Sequence, residues 1–277
     1  MVNLSITDAA FQHGDVPQSL YTGSVLRTLA LSATGTALAV GGYFYAGMWP
    51  QSQIFGRTLI TGNNPNEIAL TFDDGPNDGY TERLLEILAH HNAQATFFLI
   101  GRFARNRAPL VRQIRQAGHV VGNHTWTHPQ LMFSSPVRIR EELSATNAAL
   151  EDILGERIEF FRPPHGARRP IVLRIARELG LAPVLWNVTV FDWKPIPPEG
   201  LLRKMQNGIA RNQRRDRGSN LLLHDGGHTT IGVDRSRTIA ATASLLELWQ
   251  GKAQFVSVDH WKNQWSQNPT SETQVSV

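Results

Sequence analysis

The chain has 277 residues, 41% of them apolar and 18% charged, with a formal net charge of +4. That size and mix describe one large folded domain with a short appendage and exclude a disordered or low-complexity protein. The sequence has no cysteine, so disulfides and thiolate metal sites are excluded, and any metal must be held by histidine and carboxylate.

Residues 1–27 form an N-terminal segment, and no charged residue occurs from Thr28 to Pro50. That uncharged run has about the length of a membrane span. Residues 28–50 are expected to be a signal anchor, which would attach the protein to a membrane, or a signal peptide. In the second case Ala37-Leu38-Ala39 offers a small-residue cleavage site. Both readings put the main domain outside the cytoplasm, in the periplasm or cell envelope. Residues 51–65 read as a linker, 66–262 as the main domain and 263–277 as a polar tail.

From Glu67 the chain alternates short apolar runs with amphipathic ones. Glu67 to Phe72 reads as a strand and Thr81 to His91 as a helix. Thr96 to Ile100 is strand-like. A helix follows from Pro109 and stops at Gly118, and His119 to Gly122 is the next strand. Ser135-Pro136 opens a long helix with serine as N-cap, ending near Gly155. Then come strand 158–161, helix 171–179, strand 183–188, helix 201–211, strand 221–223, helix 235–249 and strand 255–258. About seven strand–helix units imply a parallel sheet covered by helices. Without a dinucleotide-binding glycine pattern, they favour a barrel over an open sheet. The basic residues are about 23 Arg to 4 Lys. Their densest cluster, Arg211, Arg214, Arg215 and Arg217, reads as an exposed helix end. No nucleic-acid-binding signature accompanies it, so no nucleic-acid partner is expected.

The unusual polar residues follow the strands. Asp73-Asp74 follows the first, His124 and His128 the third, Arg162 the fourth, Asp192-Trp193 the fifth and His224-Asp225 the sixth. The C-terminal ends of parallel barrel strands gather on one face, where active sites are built. His124 and His128 are four apart, so a helical turn or a tight loop would aim both imidazoles one way. Two histidines and a carboxylate make an open metal site. Adjacent carboxylates are costly unless neutralised. A cation on one of Asp73 and Asp74 would do that and leave the other as a base, and Gly75 would let the backbone bend sharply after the strand. An arginine such as Arg162 near the pair would favour the ionised form of one. His224, ending an apolar run, is a candidate general acid.

Thr71-Phe72-Asp73-Asp74-Gly75, His124-Thr125-Trp126-Thr127-His128, Arg162-Pro163-Pro164-His165-Gly166, Asp192-Trp193 and Leu222-Leu223-His224 resemble, in order, the five motifs of the NodB-homology polysaccharide deacetylases, carbohydrate esterase family 4. The resemblance covers roughly residues 66–260. It implies an α/β fold, a distorted (β/α) barrel with seven parallel strands. It implies hydrolysis of the N-acetyl amide of N-acetylhexosamine units in a peptidoglycan- or chitin-like glycan. It implies a divalent metal, Zn2+ before Co2+, Ni2+ or Mn2+, held by Asp74, His124 and His128. Asp73 would be the base, oriented and ionised by Arg162, and His224 the acid, supported by Asp192. Trp193 and Leu222 would line the acetyl pocket, and the His165 backbone N–H would meet the oxyanion. Two positions depart from the family pattern: His165 stands where an aromatic is usual, and Thr189 where an acidic residue is frequent. Two other readings stay open, a metal- and carbohydrate-binding protein without turnover, and a hydrolase of another amide such as an N-formyl sugar or a cyclic imide.

Overall fold

Strand β1, Glu67–Gly75, is buried along its whole length and has strands on both sides in the sheet. In this computed structural model, residue 34 and residues 36–267 are described. Residues 1–33, 35 and 268–277 lie outside the described residues, and with them the whole expected N-terminal segment, the first part of the expected anchor and most of the expected tail. The chain divides into two units at Phe44/Tyr45. The described part of the first is helical. Among the described residues, no helix is long and apolar enough to cross a membrane.

The second unit holds one sheet in which every strand pair is parallel. The further strands are β2 (Ala95–Leu99), β3 (Val120–Asn123), β4 (Phe160–Phe161), β5 (Ala182–Pro183), β6 (Val188–Thr189), β7 (Ser219–His224) and β8 (Gln254–Phe255). The ladder runs β5-β4-β3-β2-β1-β7-β6. β8 pairs with the first two residues of β1, ahead of where β2 begins. The seven strands of the ladder and the helices around them form the curled, distorted (β/α) barrel that the resemblance implied.

The expected single strand 183–188 is two strands, β5 and β6, at opposite ends of the ladder. Val184 N–H still donates to the Phe161 carbonyl of β4 at 2.8 Å. Beyond it the chain bonds elsewhere: Leu185 N–H donates to the Leu59 carbonyl at 2.8 Å and Asn187 N–H to that of Asn220 at 3.2 Å. Residues 184–187 thus join the two ends of the ladder covalently where no hydrogen-bonded pairing closes it. Residues 51–65, expected as a linker, take part in this closure. Leu59 is buried and bridged to Val184, because the gap between β4–β5 and β7 leaves backbone groups that need partners. The expected polar tail also begins inside the fold, as helix Lys262–Gln267, with Gln264 accepting from the Asn63 N–H at 3.2 Å.

The helices are α1 (Tyr80–His90), α2 (Gly101–Arg105), α3 (Ala108–Gln116), α4 (Pro136–Leu154), α5 (Pro170–Glu178), α6 (Pro198–Gln213) and α7 (Ser236–Trp249). α4 has the expected ends: Ser135 accepts from the Arg138 N–H at 3.2 Å, and Gly155 closes it at φ 70°. The side-chain period of two sorts the strands between layers. Ile68, Leu70 and Phe72 of β1, with Leu221 and Leu223 of β7, pack in the large core under the helices. Ala69 and Phe98 belong to the smaller inner core with Leu59, Val184 and Trp261. By the same parity Thr71, Asp73, Leu222 and His224 face inward.

Candidate active site

Parity alone places Asp73 inside the barrel and would turn Asp74 out toward the helices. A register shift between Asp73 and Gly75 breaks the alternation, and Asp74 takes a left-handed backbone at φ 72°. A bulge of this kind re-aims a side chain, so both neighbouring carboxylates serve one site. The sharp bend expected at Gly75 therefore falls at Asp74. Gly75 is required for a different reason: a Cβ there would lie 2.3 Å from Asp225 Oδ2.

His124 and His128 sit on a loop that side chains build. Glu142 of α4, buried, accepts from the N–H groups of Trp126 and Thr127 and from Thr127 Oγ1, each at 2.7 Å. Asn123 accepts from the Thr125 N–H at 2.8 Å, and Thr125 Oγ1 accepts from the His128 N–H at 3.0 Å. Thr125 and His128 both have positive φ, at 67° and 63°. Strained residues persist where their surroundings over-determine them, and here the Glu142 carboxylate and two side-chain amide and hydroxyl contacts do so. The spacing of four is thus a tight loop rather than a helical turn.

The two Nε2 atoms approach Asp74 Oδ1 at 3.5 Å from His124 and 3.4 Å from His128. The ligand atoms of Asp74, His124 and His128 lie within 4.8 Å of one another. Asp74 Oδ1 is buried with no hydrogen-bond partner, an expense that a bound cation would remove. His124 turns Nδ1 to the Arg162 carbonyl at 2.8 Å, which fixes the ring and leaves Nε2 free to ligate. Burial, then neighbouring His124, pushes His128 down to about 2, so it is neutral with a lone pair available. Burial opposes the ionisation of Asp74, but the imidazoles beside it, His124 first, hold its carboxyl well below the usual carboxylate range. These residues fit a divalent metal.

On one side of this set Arg162, fully buried, donates through Nη1 to Asp73 Oδ1 at 2.8 Å and to Thr71 Oγ1 at 2.7 Å. Its guanidinium carbon lies 4.2 Å over the Phe98 ring. Burial pulls its pKa down, opposed by the charge and hydrogen bond of Asp73. On the other side His224, paired in register with Asp73, shares Nδ1 with Asp192 Oδ1 at 2.8 Å. Asp192 Oδ2 accepts from the His224 N–H at 2.8 Å and from Thr238 Oγ1 at 3.1 Å. Burial opposes a charge on His224, yet the charge and hydrogen bond of Asp192, with Asp74 and Asp73, push it up to about 9.

A cavity of about 490 Å³ opens over these groups, and Leu222, Trp193 and His165 line it. Trp193 packs edge-on against His224 with ring centroids 5.2 Å apart. His165 has φ 58° and packs its ring edge-on to His128 at 4.7 Å. Its turn is pinned by buried Arg168, which donates to the carbonyls of Gly166 and Ser52. Thr189 accepts from Trp186 Nε1 at 2.7 Å. Eight of the ten residues singled out from the sequence line this cavity, and the other two, Arg162 and Asp192, bond the lining residues Asp73 and His224.

Sequence reasoning missed His228, Trp186 and Arg235, which also line the cavity. His228 stacks on His128 at 4.7 Å and brings Nδ1 within 3.9 Å of Asp74 Oδ2. Its signal was present, since His224 and His228 repeat the spacing of His124 and His128. Asp225, fully buried beneath Gly75, accepts from Thr81 Oγ1 at 2.6 Å, and burial pushes it up to about 7.

The curled parallel barrel thus carries a two-histidine, one-carboxylate group able to hold a metal ion, between a buried carboxylate and a histidine. The family model for polysaccharide deacetylase matches residues 61–184. A chitooligosaccharide deacetylase of Azorhizobium caulinodans is 38% identical over 72% of this chain and 95% of its own length. A peptidoglycan-N-acetylglucosamine deacetylase of Bacillus cereus is 36% identical over 71% of this chain and 88% of its own. Among solved structures, a carbohydrate esterase family 4 pseudoenzyme from Bacillus anthracis matches with a TM-score of 0.61 and 29% identity, over 69% of this chain and 63% of that one. The chain belongs to the polysaccharide deacetylase family, carbohydrate esterase family 4.

Proposed function

We propose that the protein hydrolyses the N-acetyl amide of N-acetylhexosamine units in a peptidoglycan- or chitin-like glycan and releases acetate. One observation carries this reading: a buried, Arg162-paired carboxylate and an Asp192-paired imidazole face the same cavity on either side of Asp74, His124 and His128. Likeness to a pseudoenzyme as well as to enzymes means that family alone does not decide turnover. The presence of both Asp73 and His224 favours it.

Asp74, His124 and His128 would hold the metal, with zinc suiting two imidazoles and a carboxylate. A divalent cation there supplies Lewis acidity, acidifying water and polarising the amide carbonyl. Asp73, oriented by Arg162, takes the proton of the attacking water. The His165 N–H is the proposed donor to the oxyanion. His224, protonated through Asp192, gives its proton to the departing sugar amine, and Trp193 and Leu222 enclose the acetyl methyl.

Acetate release from chitooligosaccharides and from peptidoglycan by metal-loaded protein tests the reading. Metal-loaded protein that binds both glycans and releases no acetate would overturn it. We further propose action outside the cytoplasm, supported by the uncharged stretch 28–50. The intact mass of the mature native protein separates a cleaved signal from a retained anchor.

A further inference from the structure

From His224 a line of aromatic contacts leads out of the cavity. Trp193 meets His224, and Phe191 meets Trp193 edge-on with centroids 5.3 Å apart. Phe191 and Trp193 are 39% and 47% exposed and form a paired aromatic patch. Phe191 is also held at φ 61°, a conformation a bulky residue adopts only when its surroundings impose it. The turn is stiff: the Lys194 N–H donates to the Phe191 carbonyl at 2.9 Å, and Pro195, Pro197 and Pro198 follow.

Two ammonium groups meet on this ring. Lys194 Nζ lies 5.1 Å and Lys204 Nζ, from α6, 5.6 Å from the Phe191 centroid. The chain has only four lysines. Of the other two, Lys262 is paired with Glu159 and Lys252 bonds the Leu248 carbonyl. Among the described residues, Lys194 and Lys204 have no carboxylate within ion-pair distance. Like charges gathered without a counter-ion are unfavourable, and the ring face offsets this only in part. The strained residue, the rigid turn and the helix thus bring two unneutralised cations to a ring that packs on Trp193, the tryptophan that lines the reaction cavity.

We infer that Trp193, Lys194 and Lys204 form a subsite for a sugar that neighbours the deacetylated one and carries a carboxylate. Trp193 offers its exposed face to that sugar ring, and the two ammonium groups held by Phe191 receive the carboxylate. The subsite rests on the glycan-deacetylase reading and narrows it. A glycan with an acidic sugar at alternate positions is preferred over a neutral polymer of N-acetylglucosamine.

The probes are a peptide-free oligomer of alternating N-acetylglucosamine and N-acetylmuramic acid, the same oligomer with its carboxylates reduced to alcohols, and chitotetraose. Metal-loaded wild type is expected to show a lower KM for the acidic oligomer than for the other two. The double variant Lys194→Gln/Lys204→Gln raises that KM roughly fivefold to tenfold, bringing it level with the reduced oligomer. The double variant Lys194→Arg/Lys204→Arg keeps the preference, and raised salt erodes it in wild type. Equal KM values for the acidic and reduced oligomers in wild type would overturn the inference while leaving the deacetylase reading intact. Binding of the same oligomers to the Asp73→Asn variant reads the subsite without turnover. If no glycan is hydrolysed yet the acidic one binds in a lysine-dependent way, the subsite stands and the catalytic reading fails.

Discussion

Asp73 and Asp74 are neighbours in sequence with opposite surroundings. Asp73 is answered by a guanidinium at 2.8 Å, while Asp74 Oδ1 has only imidazole nitrogens near it. Asp73→Asn keeps the shape and removes the proposed base, so kcat for acetate release is expected to fall roughly 10²- to 10⁴-fold. Near-wild-type turnover would reassign the base. Arg162→Met leaves Asp73 buried without its cation and is expected to cost about 3–5 kcal/mol of stability by denaturant unfolding. Adding Asp73→Asn to it should restore part of that loss. As the proposed acid, His224 would act in its protonated form, and its pKa is raised, so activity is expected to persist at neutral pH and to fall as pH rises toward about 9. A cation that cancels the nearby carboxylate charges brings this alkaline limb lower. Asp192→Asn removes the largest contribution raising the pKa, so the limb should move to lower pH by about one unit or more in a pH–kcat profile. An unmoved limb would mean that another group supplies the proton.

At the scale of elements, the site is held by connections that look unremarkable in sequence. Asn77, just after β1, bonds the loop that carries His228. Its Nδ2 donates to the Asp225 and Val233 carbonyls, each at 2.9 Å, and its Oδ1 accepts from the Gly232 N–H at 2.6 Å. Arg102 donates to the His228 carbonyl at 2.7 Å from the other side. Asn77→Ala is expected to cost about 2–3 kcal/mol and to speed amide hydrogen exchange across residues 226–233. Unchanged protection there would show that Arg102 and Arg235, which donate to the His228 and Gly226 carbonyls, suffice to anchor the loop. Gly226 marks the tightest approach in this region, since a Cβ would fall 2.1 Å from the Asp74 carbonyl oxygen. The helix ends were legible in the sequence, because serine and proline start α4 and glycines stop it by local geometry. The Asp74 bulge and the split of strand 183–188 were not, because both depend on which strand lies alongside.

Over the whole molecule, the proposed metal site ties β1 to the loop after β3, while its flanking groups come from the ends of β4 and β7. A cation bound there stabilises only the folded chain. At about 100 times its Kd, zinc is expected to add ~2.7 kcal/mol, seen as a Tm several degrees higher than after chelation. Asp74→Ala should abolish this difference, and a difference that survived would place the metal elsewhere. The sequence by itself determined the strand–helix alternation, the parallel barrel and the residues at its rim. Hydrophobic period, capping residues and motif order are all local properties of the chain. Only the tertiary structure decided which face each rim residue takes, that Leu59 and residues 184–187 close the barrel, that His228 and Trp186 join the cavity, and that Lys194 and Lys204 approach one ring, Phe191. Those outcomes depend on contacts between residues far apart in sequence, such as Asp73 with Arg162 and Leu59 with Val184. Their geometry exists only once the strands lie side by side.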